Sequence, residues 1–175
     1  WDRTLLHVAA LGGRNEIVKA MLANGGDKDA KDNFGETPLT KASHLGRRSV
    51  AETLMAVGCD VNVRGTGPSR YTPIDRAAQN GHVGLLKSLI KRGGKVNSAD
   101  ERGCTAMHVA AYHGELGSVE ALVEAGGHFE TENKYGWTPL LFAASSCSCT
   151  VMLDLLKRGA AVNVRSRRGT TPLHQ

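Results

Sequence analysis

Six threonines recur at nearly equal intervals along the 175-residue chain, each inside a copy of one short motif. The clearest copy begins at Gly136 and contains the core Gly-x-Thr-Pro-Leu, called the box below. The threonines are Thr4, Thr37, Thr72, Thr105, Thr138 and Thr171, spaced 33 residues apart except for one interval of 35 between the second and third. A fixed period of this size predicts a stacked array of structural repeats.

The residues of the box predict a turn that opens into a helix. Threonine is a good N-cap because its hydroxyl accepts a hydrogen bond from one of the first N–H groups of a helix, and proline at the next position removes no donor that the helix uses. Glycine stands two residues before the threonine in four of the six copies, where a tight turn needs its permissive backbone. Each box therefore marks the start of a helix.

Two helices are expected after each box. The first contains small residues, as in Val109-Ala110-Ala111, and ends at a glycine such as Gly114, which suits a left-handed C-terminal position. The second is more apolar, as in Val151-Met152-Leu153-Asp154-Leu155-Leu156, and stops at a segment that contains glycine, such as the one at Gly159. Each repeat is predicted to be a helix, a turn, a helix and an extended loop.

With these features the sequence resembles the ankyrin repeat family over its whole length. The resemblance rests on the six boxes, the Ala-Ala pairs, the glycine between the helices and the Val-Asn that follows the second helix. It implies an all-α fold, an ankyrin-repeat solenoid of stacked antiparallel helix pairs with projecting hairpin-like loops. We expect a single domain over 1–175, a segment of a longer array, with repeats at about 1–33, 34–68, 69–101, 102–134 and 135–167 and the start of a sixth at 168–175.

The chain departs from the family pattern at three places. Arg70 stands where the turn glycine would be, in a loop of the third repeat that carries the two extra residues. In the fifth repeat the glycine between the helices is replaced inside Ser145-Ser146-Cys147-Ser148-Cys149-Thr150, although the period is kept. Histidine occupies the fourth box position only at His7, His108 and His174, so the inter-repeat hydrogen bonds that the family assigns to it are not expected in the second, third and fifth repeats.

Motifs of catalysis are missing from the sequence. It has no Gly-x-Ser-x-Gly, no His-Glu-x-x-His and no Walker motif, and three of the seven histidines are box residues. The resemblance likewise implies a protein-binding module without chemistry of its own. We predict no enzymatic activity, no cofactor and no metal site; Cys147-x-Cys149 lacks a second ligand pair at a metal-site spacing.

The cysteines and the charge bear on location and partner. The four cysteines do not form a disulfide framework and are interpreted as reduced thiols of an intracellular protein, cytoplasmic or, as an alternative, nuclear. No apolar run is long enough to span a membrane. The net charge is +5, but five glutamates in 105–137 interrupt the basic character of the repeats. This argues against a continuous basic face that could bind nucleic acid.

The resemblance also implies where a partner protein binds. In the family, the concave surface is formed by loop positions just before the box threonine and by the end of the first helix. Mapped onto this chain, the predicted partner-binding residues are Phe34, Glu36, His44, Leu45, Tyr71, Gln79, Asn80, Arg102, Tyr112, His113, Tyr135, Trp137, Arg167 and Arg168.

Six of the eight aromatic residues fall on this predicted contact face, if Trp1 is counted with them. The other two, Phe129 and Phe142, map to core-like positions. Large aromatic side chains held on a surface are typical of binding hot spots. We therefore predict a scaffold or adaptor segment that binds a partner through the groove and loop tips; the alternative is a regulatory array attached to a catalytic or channel domain outside this sequence.

One modification site is also suggested by resemblance. The stretch from Leu54 to Val63 is similar to the segment that the oxygen-sensing asparaginyl hydroxylase recognises in ankyrin repeats, which would make Asn62 the acceptor. Asn97 and Asn163 match less well. The structural alternative is that Asn62 bridges neighbouring loops, a role that the family gives to this residue whether or not it is modified.

Overall fold

A computed structural model describes residues 3–67, 70–167 and 169. Within them the chain forms ten α-helices and no strand, so the predicted all-α repeat fold is confirmed. Each predicted repeat from the first to the fifth contains two helices. The helices are α1 (Leu5–Leu11), α2 (Asn15–Ala23), α3 (Pro38–His44), α4 (Arg48–Ala56), α5 (Pro73–Gln79), α6 (Val83–Lys91), α7 (Ala106–His113), α8 (Leu116–Glu124), α9 (Pro139–Ser145) and α10 (Cys149–Lys157).

The box threonines cap helices as predicted. Thr37 and Thr138 adopt extended backbone and accept hydrogen bonds from the N–H groups of Thr40 and Leu141, with proline as the first helical residue. In the first and fourth repeats the histidine at the fourth box position completes a capping box with its threonine. These contacts satisfy N–H groups that would otherwise lack a partner at a helix start.

The turn between the two helices of a repeat requires a left-handed residue. Gly13, Gly46, Gly81 and Gly114 take this conformation, with φ between 64° and 73°. In the fifth repeat, where glycine is missing, Cys147 occupies the position with φ 55°. The irregular segment therefore keeps the same turn and places an L side chain in it, a conformation that such residues rarely adopt.

In the loop before the third box, too, a residue other than glycine takes the left-handed conformation. Gly35, Gly103 and Gly136 have positive φ two residues before their threonines, and Arg70 takes a φ of 45° at the equivalent point. Its carbonyl accepts a hydrogen bond of 2.8 Å from Arg64 Nη1, and Arg64 also contacts the carboxylate of Asp75. Both non-glycine residues with positive φ in the described chain thus stand where the sequence departs from the family pattern.

The described chain forms two compact units, one of residues 1–77 and 84–95 and the other of residues 78–83 and 96–175. In the first unit α1 packs on α3 and α2 on α4, and in the second α7 packs on α9 and α8 on α10. Small residues such as Ala42 and Ala110 are fully buried on the first helices, and leucines such as Leu54, Leu122 and Leu155 on the second. Burial of one such leucine contributes about 2 kcal/mol.

Candidate functional site

The second unit carries a group of aromatic side chains on α7, on α9 and in the loop before α9. We call His108, Tyr112, Trp137 and Phe142 the aromatic cluster. The Phe142 ring is the common partner: its centroid lies 5.4 Å from that of His108, 6.1 Å from that of Tyr112 and 5.3 Å from that of Trp137, all edge to face. Tyr112 keeps 49% of its surface exposed, and Trp137 and Phe142 are half-buried. The cluster is a packed patch with an open aromatic surface.

Phe142 does not occupy the core position that the sequence suggested. On α9 the buried positions are held by Leu140, Leu141, Ala143 and Ala144, so Phe142 lies between them on the face shared with Tyr112. Phe129 is also half-buried. Residues 140–144 are all apolar, but successive residues of a helix point in different directions, so the five side chains cannot all face the buried side. Phe142 is the one that is only half-buried.

His108 fixes the position of Trp137. The N–H of Thr105 donates to His108 Nδ1 at 3.1 Å, which leaves Nε2 as the protonated nitrogen, and Nε2 donates to the Trp137 carbonyl at 3.1 Å. Burial lowers the pKa of His108 and keeps the ring neutral, although the carbonyl contact opposes the shift. The first repeat repeats the arrangement, with His7 Nε2 2.9 Å from the Glu36 carbonyl oxygen.

Other predicted residues of the second unit lie around its helix ends and loops. The Gln79 amide nitrogen is 3.2 Å from His113 Nε2, and the His113 ring is edge to face with that of Tyr112. Asn80 is half-buried. Arg102, Tyr135 and Arg167 are exposed at successive loops, joined by backbone hydrogen bonds from Lys134 N to Arg102 O and from Arg167 N to Tyr135 O.

Two predicted aromatic or basic contacts, Trp1 and Arg168, lie outside the described residues, as does the start of the sixth repeat apart from Gly169. The remaining predicted residues belong to the first unit. There Phe34 and Leu45 are exposed, and His44 and Tyr71 are half-buried.

The first unit contains a cleft of about 330 Å³ between its first helices and loops. Phe34, Glu36 and His44, which the sequence analysis assigned to the partner-binding surface, are among the residues that line it. The full lining is Arg3, Leu11, Phe34, Glu36, Lys41, His44, Gly65, Gly67, Arg70 and Arg76.

A buried ionic cluster forms the wall of this cleft. Lys41 and Glu36 are only 5% and 7% exposed, and the Lys41 ammonium is paired with Glu36 and lies 2.8 Å from Asp32 Oδ2. Arg76 Nε donates to Glu36 Oε1 at 3.0 Å, and its guanidinium lies over the Tyr71 ring, 4.6 Å from the centroid. Glu36 is therefore a buried counter-ion of Lys41 and Arg76.

The carboxylates of the cluster remain charged in spite of their burial. Burial alone would raise the pKa of Glu36, but the hydrogen bonds from Lys41 and Arg76 outweigh it and lower the pKa. The pKa of Asp32 is also lowered, because the contacts with Lys41 and with the backbone N–H groups of Glu36 and Phe34 outweigh its desolvation. A buried charge that is paired and hydrogen-bonded in this way costs far less than an isolated one.

Sequence reasoning missed several residues that build these two surfaces. Asp32, Asp100 and Asn133 each accept hydrogen bonds from the N–H groups two and four residues later and so shape the loop before the box. Their positions follow the repeat period, which was a signal that could have found them. Lys41 and Arg76 stand at the same place, four residues after the box threonines of the second and third repeats, but the first, fourth and fifth repeats have Val8, Val109 and Phe142 there, so this signal was weaker.

Asn62 bridges two loops of the first unit. Its amide nitrogen donates to the Gly93 carbonyl at 3.2 Å, and its Oδ1 accepts from the Lys95 N–H at 2.9 Å. Asn97 makes the same pair of contacts with Gly126 and His128. The side chain thus has the structural role that the sequence offered as the alternative to modification.

The four cysteines form no disulfide and differ in exposure. Cys59 is buried, which raises its pKa to about 11, with Asp29 adding to the effect, whereas Cys147 and Cys149 are exposed.

Over the residues that the structure describes, no group of three or more His, Cys, Asp or Glu side chains is arranged to hold a metal ion. In the same residues no helix combines the length and apolar character needed to cross a membrane.

Helix pairs at one period, with capped starts and left-handed turns, define a helical repeat protein. A family model for ankyrin repeats in three copies matches residues 1–65 and 74–166, and the chain belongs to the ankyrin repeat family. Ankyrin repeats are in general protein–protein interaction modules, and the domain is a non-catalytic fold.

Relatives of this chain are much longer proteins. It is 31% identical over 105 residues to the transient receptor potential cation channel subfamily A member 1 homolog of Caenorhabditis elegans, a match that covers 60% of this chain and 8% of that protein. It is 35% identical over 105 residues to inversin of Gallus gallus, covering 59% of this chain and 9% of inversin. The ankyrin repeat and KH domain-containing protein mask-1 of C. elegans is 30% identical over 107 residues, covering 61% of this chain and 4% of mask-1. The chain spans less than a tenth of the length of each.

Proposed function

We propose that this chain is the scaffold or adaptor segment of a longer protein and that it binds a partner protein through the aromatic cluster of its second unit and the loops beside it. The observation that carries the proposal is the packing of Tyr112 and Trp137 around Phe142 with Tyr112 half exposed. Aromatic side chains held in place before binding lose little conformational entropy when a partner covers them.

The rigidity of the cluster supports its role as an anchor. Trp137 is held through its carbonyl by His108, and the edge-to-face contacts restrict the rings. Such an anchor contributes about 2 kcal/mol or more when a partner buries it, and about 2 kcal/mol corresponds to roughly thirtyfold in affinity. The exposed loop residues Arg102, Tyr135 and Arg167 would form the rim of the contact.

The experiment compares the wild-type chain with a Tyr112→Ala/Trp137→Ala variant in affinity capture from cell extract, with bound proteins quantified by mass spectrometry. A partner retained by the wild type and weakened about thirtyfold or more by the double substitution supports the proposal. Circular dichroism of both proteins establishes that helix content is unchanged.

The matched control is Leu153→Ala. Leu153 belongs to the same unit and is 59% exposed on the second helix of the fifth repeat, so its removal deletes apolar surface outside the cluster. If Leu153→Ala weakens capture of a protein as much as the double substitution does, that protein binds exposed apolar surface in general. This result would reject the aromatic cluster as the binding site.

A second candidate function is a regulatory array attached to a catalytic or channel domain beyond this sequence. The match to a cation channel homolog, of which it covers 8%, favours this alternative. Sequencing of the full transcript distinguishes the two functions. A channel or enzyme domain in the same reading frame supports the regulatory array, and a transcript without such a domain supports the adaptor.

We also infer an intracellular location, cytoplasmic or, as the alternative, nuclear, supported by four cysteines that form no disulfide.

We further infer that Asn62 is an acceptor of hydroxylation. For Asn62 the support is the similarity of its segment to hydroxylase substrates. Incubation with the oxygen-sensing asparaginyl hydroxylase should add the mass of one oxygen atom to the Asn62 peptide. The Asn97 peptide is the internal comparison, because that residue makes the same loop contacts but has the weaker sequence match.

A further inference from the structure

The cleft of the first unit is lined by side chains of predominantly positive charge. Arg3, Lys41, Arg70 and Arg76 contribute to its surface, and Glu36 is the only carboxylate in the described lining. Asp32, which pairs with Lys41 from behind, adds a second negative charge to the cluster. The positive charge around the cleft exceeds the negative charge even when this buried residue is counted.

The cations are held in place from within the unit. Glu36 and Asp32 hold the Lys41 ammonium, and Glu36 also holds the Arg76 guanidinium, which rests on the ring of Tyr71. A guanidinium fixed by a carboxylate and an aromatic ring loses little further freedom when it binds an anion. This fixed geometry distinguishes the cleft from a row of mobile surface lysines.

The Arg70 side chain lines the cleft from a residue with left-handed backbone conformation. Its φ of 45° is left-handed, and Arg64 secures the turn by donating to the Arg70 carbonyl. At the equivalent point the other loops of the described chain have glycine, which has no side chain to project. A strained residue with a functional side chain at a glycine position is the kind of outlier that accompanies binding sites.

We propose that this cleft is a binding site for an acidic peptide segment of a partner protein, whose glutamate or aspartate carboxylates lie between Arg70 and Arg76. The volume of about 330 Å³ is suited to one or two side chains. Leu11 and Phe34 provide apolar surface at the lining, so the segment has an apolar residue next to its carboxylates. Arginine binds carboxylates in a planar, two-pronged geometry that favours this ligand.

This inference rests on the proposed function in one respect: both assume that the chain binds a protein. It concerns the first unit alone and names the chemistry of the bound segment, whereas the aromatic cluster belongs to the second unit. The two can therefore fail independently.

The test measures binding of three fluorescein-labelled peptides of equal length by fluorescence anisotropy. One alternates Glu with Leu, the second has Gln in place of Glu, and the third has phosphoserine in place of Glu. We expect the Glu peptide to bind, the Gln peptide to bind at least about tenfold more weakly, and the affinity for the Glu peptide to fall as salt is raised.

Substitutions locate the site. Arg70→Gly removes the cation and suits the left-handed backbone, so the fold is preserved, and we expect the affinity for the Glu peptide to fall about tenfold. Arg70→Lys retains the charge and should recover most of the affinity. Lys91→Gln, an exposed position on α6 in the same unit, removes the same charge outside the cleft and should bind as the wild type does.

Three results would overturn the assignment. Equal binding of the Glu and Gln peptides would show that the cleft does not recognise charge, and equal weakening by Arg70→Gly and Lys91→Gln would reduce the effect to net charge. Binding of the phosphoserine peptide alone would replace the carboxylate ligand with a phosphorylated one. The Tyr112→Ala/Trp137→Ala variant should bind the Glu peptide like the wild type, and its failure to do so would place the peptide on the second unit instead.

Discussion

Replacement of Cys147 by glycine should stabilise the fifth repeat. Cys147 holds a φ of 55° at the turn between α9 and α10, where four other repeats have glycine with φ of 64° to 73°. The left-handed conformation costs an L residue roughly 1–2 kcal/mol relative to its preferred conformations. Because Cys147 is exposed and free, removal of its thiol deletes little packing.

Glycine also has a cost, because it adds conformational freedom to the unfolded chain. That entropy term amounts to about 0.4–1 kcal/mol for a Gly–Ala exchange. Subtracting the mid-point of this range from that of the strain leaves an expected increase in the free energy of unfolding of about 0.8 kcal/mol for Cys147→Gly.

The assay is urea unfolding followed by circular dichroism, with Cys147→Ala as the reference. Alanine removes the thiol but keeps the Cβ, so the difference between the glycine and alanine variants isolates the backbone term. The reverse exchange, Gly114→Ala, should destabilise the chain, because φ there is 73° and the new Cβ would lie 2.8 Å from Ser148 Oγ. A glycine variant no more stable than the alanine variant would refute the argument from strain.

Three further substitutions or titrations test other parts of the structure. Ser118 is fully buried and its hydroxyl has no hydrogen-bond partner in the described residues, so Ser118→Ala should raise the free energy of unfolding by about 1 kcal/mol in the same urea assay. The pKa of Glu36 is lowered from 4.5 in the folded state, so its charge stabilises the fold above that value and the contribution is lost as the pH falls through the lower folded-state pKa. The difference in free energy of unfolding between the wild type and Glu36→Gln, measured from about pH 7 downward, should therefore decrease once the pH falls below 4.5. Cys59, with its pKa raised to about 11, should react with a thiol reagent at neutral pH far more slowly than the exposed Cys147.

The two substitutions have matched controls, and the reactivity of Cys59 is compared with that of Cys147. The Ser145 hydroxyl donates to the Phe142 carbonyl at 2.8 Å, so Ser145→Ala should not stabilise the chain as Ser118→Ala does. Glu52 makes an exposed ion pair with Arg48, and Glu52→Gln should change stability little at any pH. If Cys59 reacts as fast as Cys147 in the folded protein, its burial is transient and the raised pKa does not govern its reactivity.

The sequence by itself determined the elements whose causes are local. A threonine cap, a proline at the first helical position and a glycine at a left-handed turn act on neighbouring backbone groups, so they can be recognised along the chain without a structure. The same local preferences mark the two irregular turns in the sequence. Arg70 was predicted to replace a turn glycine, and the glycine of the fifth repeat was predicted to be replaced within 145–150; Arg70 and, in that segment, Cys147 have positive φ.

Tertiary structure decided what the side chains at those elements meet. Glu36 was predicted on a contact surface, but Arg76, forty residues further on, and Lys41 enclose its carboxylate. Phe142 was predicted in the core, but it joins the rings of Tyr112 and Trp137 on a half-exposed face. The period shows that repeats stack, but the partner of a particular side chain depends on how residues far apart in sequence are brought together, and no local preference encodes that contact.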